Sequence, residues 1–100
     1  MSKLSILIPT YNYDVSQLVN DLLALSEKEQ VDADIIIGDD ASSDANCILR
    51  NQELEHLPRV RMIHNEHNLG RAENRNRLAQ ECQGEWILFI DSDAQVPPEF

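Results

Sequence analysis

No other stretch of this chain restricts its architecture as tightly as Trp86-Ile87-Leu88-Phe89-Ile90 followed at once by Asp91-Ser92-Asp93. Five consecutive large apolar or aromatic residues, with Gly84 ahead of them and no helical spacing of polar positions, fit a central strand buried on both faces of a parallel sheet. Two carboxylates then leave the strand end with one small residue between them. They can converge outside the sheet's carboxyl edge, where open α/β folds place their ligands. Such a pair suits a hard divalent cation, with water and the phosphate oxygens of a bound nucleotide completing its shell. A plainer reading stays open beside it: Asp91 or Asp93 caps a helix that Pro97-Pro98-Glu99 opens.

Charge narrows the choice of partners. The 100 residues carry 18 acidic against 8 basic side chains, a formal net charge of -10, which argues against nucleic acid or an anionic membrane as the partner of the surface at large. A phosphate site must then rely on local arginines, and Arg59, Arg61, Arg71, Arg75 and Arg77 do fall in one short segment. Cys47 and Cys82 match no metal-ligand spacing and read as reduced, buried thiols of a cytoplasmic protein. The apolar run at residues 4–8 is too short for a secretory signal, and nothing approaches the roughly 20 apolar residues of a membrane span. The length suits one domain. Because Phe100 follows what reads as the first turn of a helix, the domain is expected to continue beyond residue 100.

Taken in order, residues 3–8 read as a first strand stopped by Pro9, and Thr10-Tyr11-Asn12-Tyr13 as a strand-to-helix loop. Asp14 and Gln17 have the spacing of a capping box, ahead of a helix to about residue 29 whose Val15, Leu18, Val19, Leu22 and Leu23 share one face. Ile35-Ile36-Ile37-Gly38 is a second buried strand that ends in acid, Asp39-Asp40-Ala41-Ser42-Ser43-Asp44. A helix at 44–54 follows, capped by Ser43 or Asp44, with Ile48 and Leu49 turned inward. Residues 59–64 form a third strand, 65–70 a loop of turn formers, and 71–82 a helix with a thin apolar side of Ala72, Leu78, Ala79 and Cys82. Strands alternating with helices predict an α/β, mostly parallel sheet flanked by helices, with the acidic ends of the second and fourth strands lining one pocket.

The succession Ser5-Ile6-Leu7-Ile8-Pro9-Thr10-Tyr11-Asn12, then Ile35 through Asp44, then Asn68-Leu69-Gly70-Arg71-Ala72 with Arg75-Asn76, then Gly84 through Asp93, closely resembles family 2 glycosyltransferases. The resemblance covers essentially the whole chain. It implies the Rossmann-like GT-A nucleotide-diphospho-sugar transferase fold, of which residues 1–100 are the N-terminal, nucleotide-sugar-binding part. It also implies metal-dependent, inverting transfer of a sugar from a nucleotide diphosphate donor, usually a UDP-sugar, to an acceptor hydroxyl on a saccharide or a lipid-linked carrier. By that resemblance Pro9, Thr10, Tyr11, Asp39 and Asp40 hold the base and ribose, and a carboxylate accepting the imide N–H of uracil accounts for an acid there. Asp40→Asn is accordingly expected to weaken nucleotide binding and to leave the fold intact. Asp91-Ser92-Asp93 matches the family's DxD motif: Asp91 near the ribose or a metal-bound water, Ser92 near the nucleotide, and Asp93 as direct ligand of Mn2+ or Mg2+. Arg71 and Arg75, one helical turn apart, project toward the base or diphosphate, or else pair at the surface with Glu73 or Glu81. Ala41 stands where many relatives have glycine. The general base, and any membrane association, are expected beyond Phe100.

Two other activities fit these residues less well. A receiver-like phospho-accepting domain wants its acidic pair after the first strand and a lysine after a late one; here Ile8 leads into Pro9-Thr10, and the only lysines are Lys3 and Lys28. A nucleotidyltransferase wants a glycine-rich basic loop after the first strand, which is missing. His64 and His67 have a spacing a zinc site could use, but no further Cys or His lies near them, which favours a solvated loop. Tyr11 and Tyr13 either stack on a nucleobase or pack under their loop.

Overall fold

The computed structural model describes residues 4–82 and 85–93. Four strands and three helices alternate: β1 Leu4–Thr10, α1 Ser16–Lys28, β2 Ala33–Asp39, α2 Ala45–Glu53 running into a 3-10 turn at Leu54–His56, β3 Val60–His64, α3 Arg71–Glu81 and β4 Trp86–Phe89. The strands form one parallel sheet in the order β3-β2-β1-β4. Ile6 lies opposite Ile35 on one side and Leu88 on the other, and Thr10, Asp39 and His64 are in register at the carboxyl edge.

The apolar runs of β1 and β2 are buried on both faces because helices cover both. Ile6, Ile8, Ile35 and Ile37 pack with Val15, Leu18, Val19 and Leu22 of the α1 side and with Leu54, while Leu7 and Ile36 point the other way onto Leu78 of α3. Gly38 lets α3 come this close. A Cβ there would stand 2.7–2.8 Å from the Leu78 side chain. Among the described residues no helix is long and apolar enough to cross a membrane.

Several expectations change against this arrangement. β4 is an edge strand among the described residues, paired to β1 alone, so Trp86 is 69% exposed and Ile87 and Leu88 are exposed beside it. Phe89 and Ile90 reach the two cores, and the Ile90 N–H still donates to the Leu7 carbonyl at 3.0 Å. Leu49 is 61% exposed rather than turned inward. The buried residue of α2 is Asn51, and Leu49, two positions before it, is rotated about 200° away around the helix axis. Ala72 is exposed too, and α3 buries Asn74 beside the expected Leu78.

No capping box forms at α1. Asp14 Oδ1 accepts from the Ser16 N–H at 2.9 Å, whereas Gln17 Nε2 donates to Asp21 at 2.8 Å. The hydrogen bond from the Ser16 hydroxyl is the main influence holding the Asp14 carboxyl below its ordinary range. At α2 the cap is Asp44, whose Oδ1 accepts from the N–H groups of Asn46 and Cys47 at 3.0 and 3.2 Å. Cys47 and Cys82 are free and half-buried, and desolvation, with the Asp44 carboxylate next, pushes the Cys47 thiol up. Gly84 and the helix start expected at Pro97-Pro98-Glu99 lie outside the described residues.

Candidate functional site

Strand order locates the site. From β1 the chain steps outward to β2 and β3 on one side and returns to place β4 on the other, so the sheet's switch point lies between β1 and β4. A cleft of about 530 Å³ opens there. Pro9 and Thr10 from the end of β1 line it, with Tyr11 and Tyr13 of the following loop, Asp40 after β2, Asn68 and Gly70 before α3, Arg71 and Asn74 on α3, and Asp91, Ser92 and Asp93 after β4. Another hollow, about 440 Å³, lies where the strands begin, among residues such as Leu23, Ser26, Pro58 and Arg59, away from these carboxylates.

The loops that form the rim are tied to one another by short polar side chains. Asn12, at a φ of 51° that asparagine tolerates, accepts on Oδ1 from the Ser43 and Asp44 N–H groups at 2.7 and 2.9 Å, and its own N–H donates to Ser42 Oγ at 2.8 Å. From below, buried Asn51 accepts from the Val15 N–H at 2.9 Å and donates to the Tyr13 carbonyl at 2.7 Å. The β1–α1 loop is thereby held at both ends. Neither asparagine carried a signal in the sequence beyond a general preference for turns and caps.

The acidic pair after β2 divides its work. Asp39 is not part of the cleft lining: its Oδ1 accepts from the Ser42 hydroxyl and N–H, and its Oδ2 lies 3.7 Å from His64 Nδ1. His64 Nε2 meets Glu55 Oε1 at 2.8 Å, so this histidine serves its neighbours rather than a zinc ion. Asp40 is on the cleft wall and 4% exposed. Its Oδ1 accepts from Asn65 Nδ2 at 2.9 Å and the Leu69 N–H at 2.7 Å, and its Oδ2 from the Gly70 N–H at 2.9 Å.

Across the cleft, Arg71 Nη2 stands 4.0 Å from Asp91 Oδ1, both side chains well exposed. Exposed pairs at that separation contribute little on their own and leave both groups available. Arg75 does not line the cleft; its guanidinium sits 4.4 Å over the Phe89 ring, in place of the expected pairing with Glu73 or Glu81 or a place beside the diphosphate. Thr10 Oγ1 is buried and has no hydrogen-bond partner among the described residues. A hydroxyl hidden beside a cleft without a partner is costly unless something bound there completes it.

Of the residues the sequence nominated, Pro9, Thr10, Tyr11, Asp40, Arg71, Asp91, Ser92 and Asp93 converge on this cleft, while Asp39 and Arg75 stand outside its lining. Asn68, Gly70 and Asn74 were not nominated as site residues and belong to it. Among the described residues no three His, Cys, Asp or Glu side chains group closely enough to hold a metal by themselves. The donor set at Asp91 and Asp93 fits a hard cation only if a ligand supplies the remaining oxygens, as the sequence implied.

The sequence profile of Glycosyl transferase family 2 matches residues 5–100. An uncharacterized glycosyltransferase of Haemophilus influenzae is 33% identical over 96 residues, covering 96% of this chain and 31% of that protein. The structure superposes on Staphylococcus aureus TarS in complex with UDP with a TM-score of 0.72 at 28% identity, covering 91% of this chain and 27% of that one. It also superposes on the mannosyltransferase PcManGT from Pyrobaculum calidifontis, in complex with GDP-Man and Mn2+, with a TM-score of 0.73 at 21% identity, covering 96% and 29%, a likeness of fold. The chain thus spans under a third of the length of these relatives, and the fold is the GT-A fold that the sequence implied. With the profile matched from β1 to the last residue and the cleft at the switch point where such folds bind their ligands, the chain belongs to glycosyl transferase family 2.

Proposed function

We propose that this protein is a glycosyltransferase whose cleft between β1 and β4 binds a nucleotide diphosphate sugar, with a UDP-sugar as the preferred donor. The observation that carries the reading is the grouping, around one cleft, of a buried threonine hydroxyl with no partner among the described residues, an exposed arginine and the Asp91–Asp93 pair. Such a set suits a polar base and ribose at one end and a diphosphate at the other. Tyr11 and Tyr13, each about half exposed at the rim, offer ring faces to the base.

Uracil is favoured by the state of Asp40. A carboxylate accepts at about four lone-pair positions, and three of these already receive Asn65, Leu69 and Gly70. One acceptor position matches the single imide N–H of uracil better than the paired N–H donors of guanine. The complex of the related TarS with UDP supports the same choice.

Asp93, with Asp91 through water, would hold Mn2+ or Mg2+, and the ion would supply neutralisation of the charge on the departing diphosphate. Arg71 adds a fixed positive charge on the facing wall. Transfer is read as in-line displacement with inversion onto a saccharide or lipid-linked hydroxyl. The general base that takes the acceptor's proton is assigned to the portion of the relatives' length that this chain does not span.

The test is a melting-temperature screen against uridine, guanosine and thymidine diphosphates, with and without manganese. At a hundredfold excess over Kd a ligand stabilises by about 2.7 kcal/mol, a shift on the order of 10 °C for a domain of this size. The expected result is the largest shift with UDP and manganese; a flat response to all three nucleotides would refute the donor site.

A further inference from the structure

From Asn74 in the cleft lining runs a chain of buried amides that the metal and base assignments give no role of its own. Asn74 of α3, 3% exposed, donates from Nδ2 to the Gly38 carbonyl at 3.0 Å and accepts on Oδ1 from Asn65 Nδ2 at 3.0 Å. The same Asn65 nitrogen donates to Asp40 Oδ1 at 2.9 Å, and the Asn65 backbone N–H donates to the Asp39 carbonyl at 2.9 Å. Asp40 then grips the Leu69 and Gly70 N–H groups, while its carbonyl accepts from Asn68 Nδ2 at 3.1 Å. The bonds lead without a gap from β2, through α3 and the loop after β3, to the residue just before Arg71.

Core packing does not require these amides, because Leu78, one turn along α3, already fills the contact with Leu7 and Ile36. A buried polar chain of this kind fixes one arrangement, since any slip strands several groups at once. Arg71 needs such a fixed base. Its pair with Asp91 is long and exposed, and the preceding Gly70, at φ 87°, has the backbone freedom of a hinge.

We propose that Asn65 and Asn74 are positioning residues: through the Asp40 carboxylate they lock Leu69 and Gly70 and so set Arg71 on the cleft opposite Asp91. The proposal rests on the reading of the cleft as a nucleotide diphosphate site. Substituting either amide frees the loop at Gly70, and Arg71 loses its orientation without itself being altered.

The test pairs two measurements on the full chain, hydrogen exchange at the Leu69 and Gly70 amides without ligand and titration with UDP and manganese. The variants are Asn65→Ala, Asn74→Ala, Arg71→Ala and the double variant Asn74→Ala/Arg71→Ala. Exchange at Leu69 and Gly70 should quicken at least about tenfold in both asparagine variants while the β1 amides keep their wild-type rates. UDP affinity should fall about tenfold for Asn74→Ala alone, yet by no more than about twofold when Arg71 is already alanine, the coupling expected of residues that act through one another. Unchanged exchange at Leu69 and Gly70, exchange raised equally throughout β1, or an additive cycle would each overturn the proposal. Should Asn74→Ala not fold, Asn65→Ala decides, since it leaves the Asn74 bond to Gly38 in place. Failure of the wild-type protein to bind UDP would sink the donor reading instead, and the exchange rates would still confirm or overturn the clasp.

Discussion

Thr10 and Asp40 show how one side chain can be tuned for a ligand or for the fold. Because Thr10 Oγ1 is buried without a partner among the described residues, Thr10→Val should leave the melting temperature unchanged or raise it, while removing a hydrogen bond offered to the nucleotide. A loss of about two- to tenfold in UDP affinity at undiminished stability is expected; a destabilised variant with unchanged affinity would show that the hydroxyl belongs to the fold. Asp40 behaves in the opposite way. Its three internal donors make Asp40→Asn a structural lesion as well as a binding one, contrary to the expectation from sequence, because an amide turns a donor toward N–H groups that need an acceptor. The cost should be about 1–3 kcal/mol in denaturant unfolding. Sequence placed Asp40 in the site from its position after a buried strand, but it could not show which distant N–H groups converge on it. Ala41 supplies a contrast. It sits at φ 58°, where glycine is at ease, so the relief of strain and the added unfolded-state entropy of Ala41→Gly should nearly cancel, leaving stability within about 1 kcal/mol.

Elements were legible where their burial follows from their own residues. The isoleucine run of β2 and the 3.6-residue spacing of α1 place themselves, and both are observed. The inward face of α2 was not legible, because it is set by Asn51 bonding to the backbone of Tyr13 and Val15 rather than by its apolar residues. Asn51→Ala should therefore cost more than Leu49→Ala. About 2 kcal/mol or more is expected for the first, which strands a buried donor and acceptor, and within about 0.5 kcal/mol for the second. The start of α1 contributes a pH dependence. Since the folded Asp14 carboxyl is held below its unfolded value, its stabilising share is present above about pH 4 and is lost as pH falls through the lower folded value. Asp14→Asn should flatten that part of the acid unfolding curve.

At the scale of the whole molecule, strand order decides both the site and the weak side. With β1 in the interior and β4 outermost among the described residues, the switch point collects Thr10, Asp40, Arg71 and the carboxylates of Asp91 and Asp93 at one cleft. The same order leaves Trp86, Ile87 and Leu88 exposed on an edge that is unpaired among the described residues. Residues 1–100 by themselves should accordingly associate as concentration rises despite a net charge of -10, and Trp86→Lys should lower that tendency in sedimentation experiments. The order of strands was not readable from the run at residues 86–90, whose apolar character fits a covered central strand as well as an edge. The most direct test of the account is calorimetric titration of UDP into the wild-type protein and Asp93→Ala, each with and without manganese. The account predicts binding that manganese strengthens in the wild type and leaves unchanged in Asp93→Ala; an equal manganese effect in both proteins, or no binding of UDP to either, would contradict it.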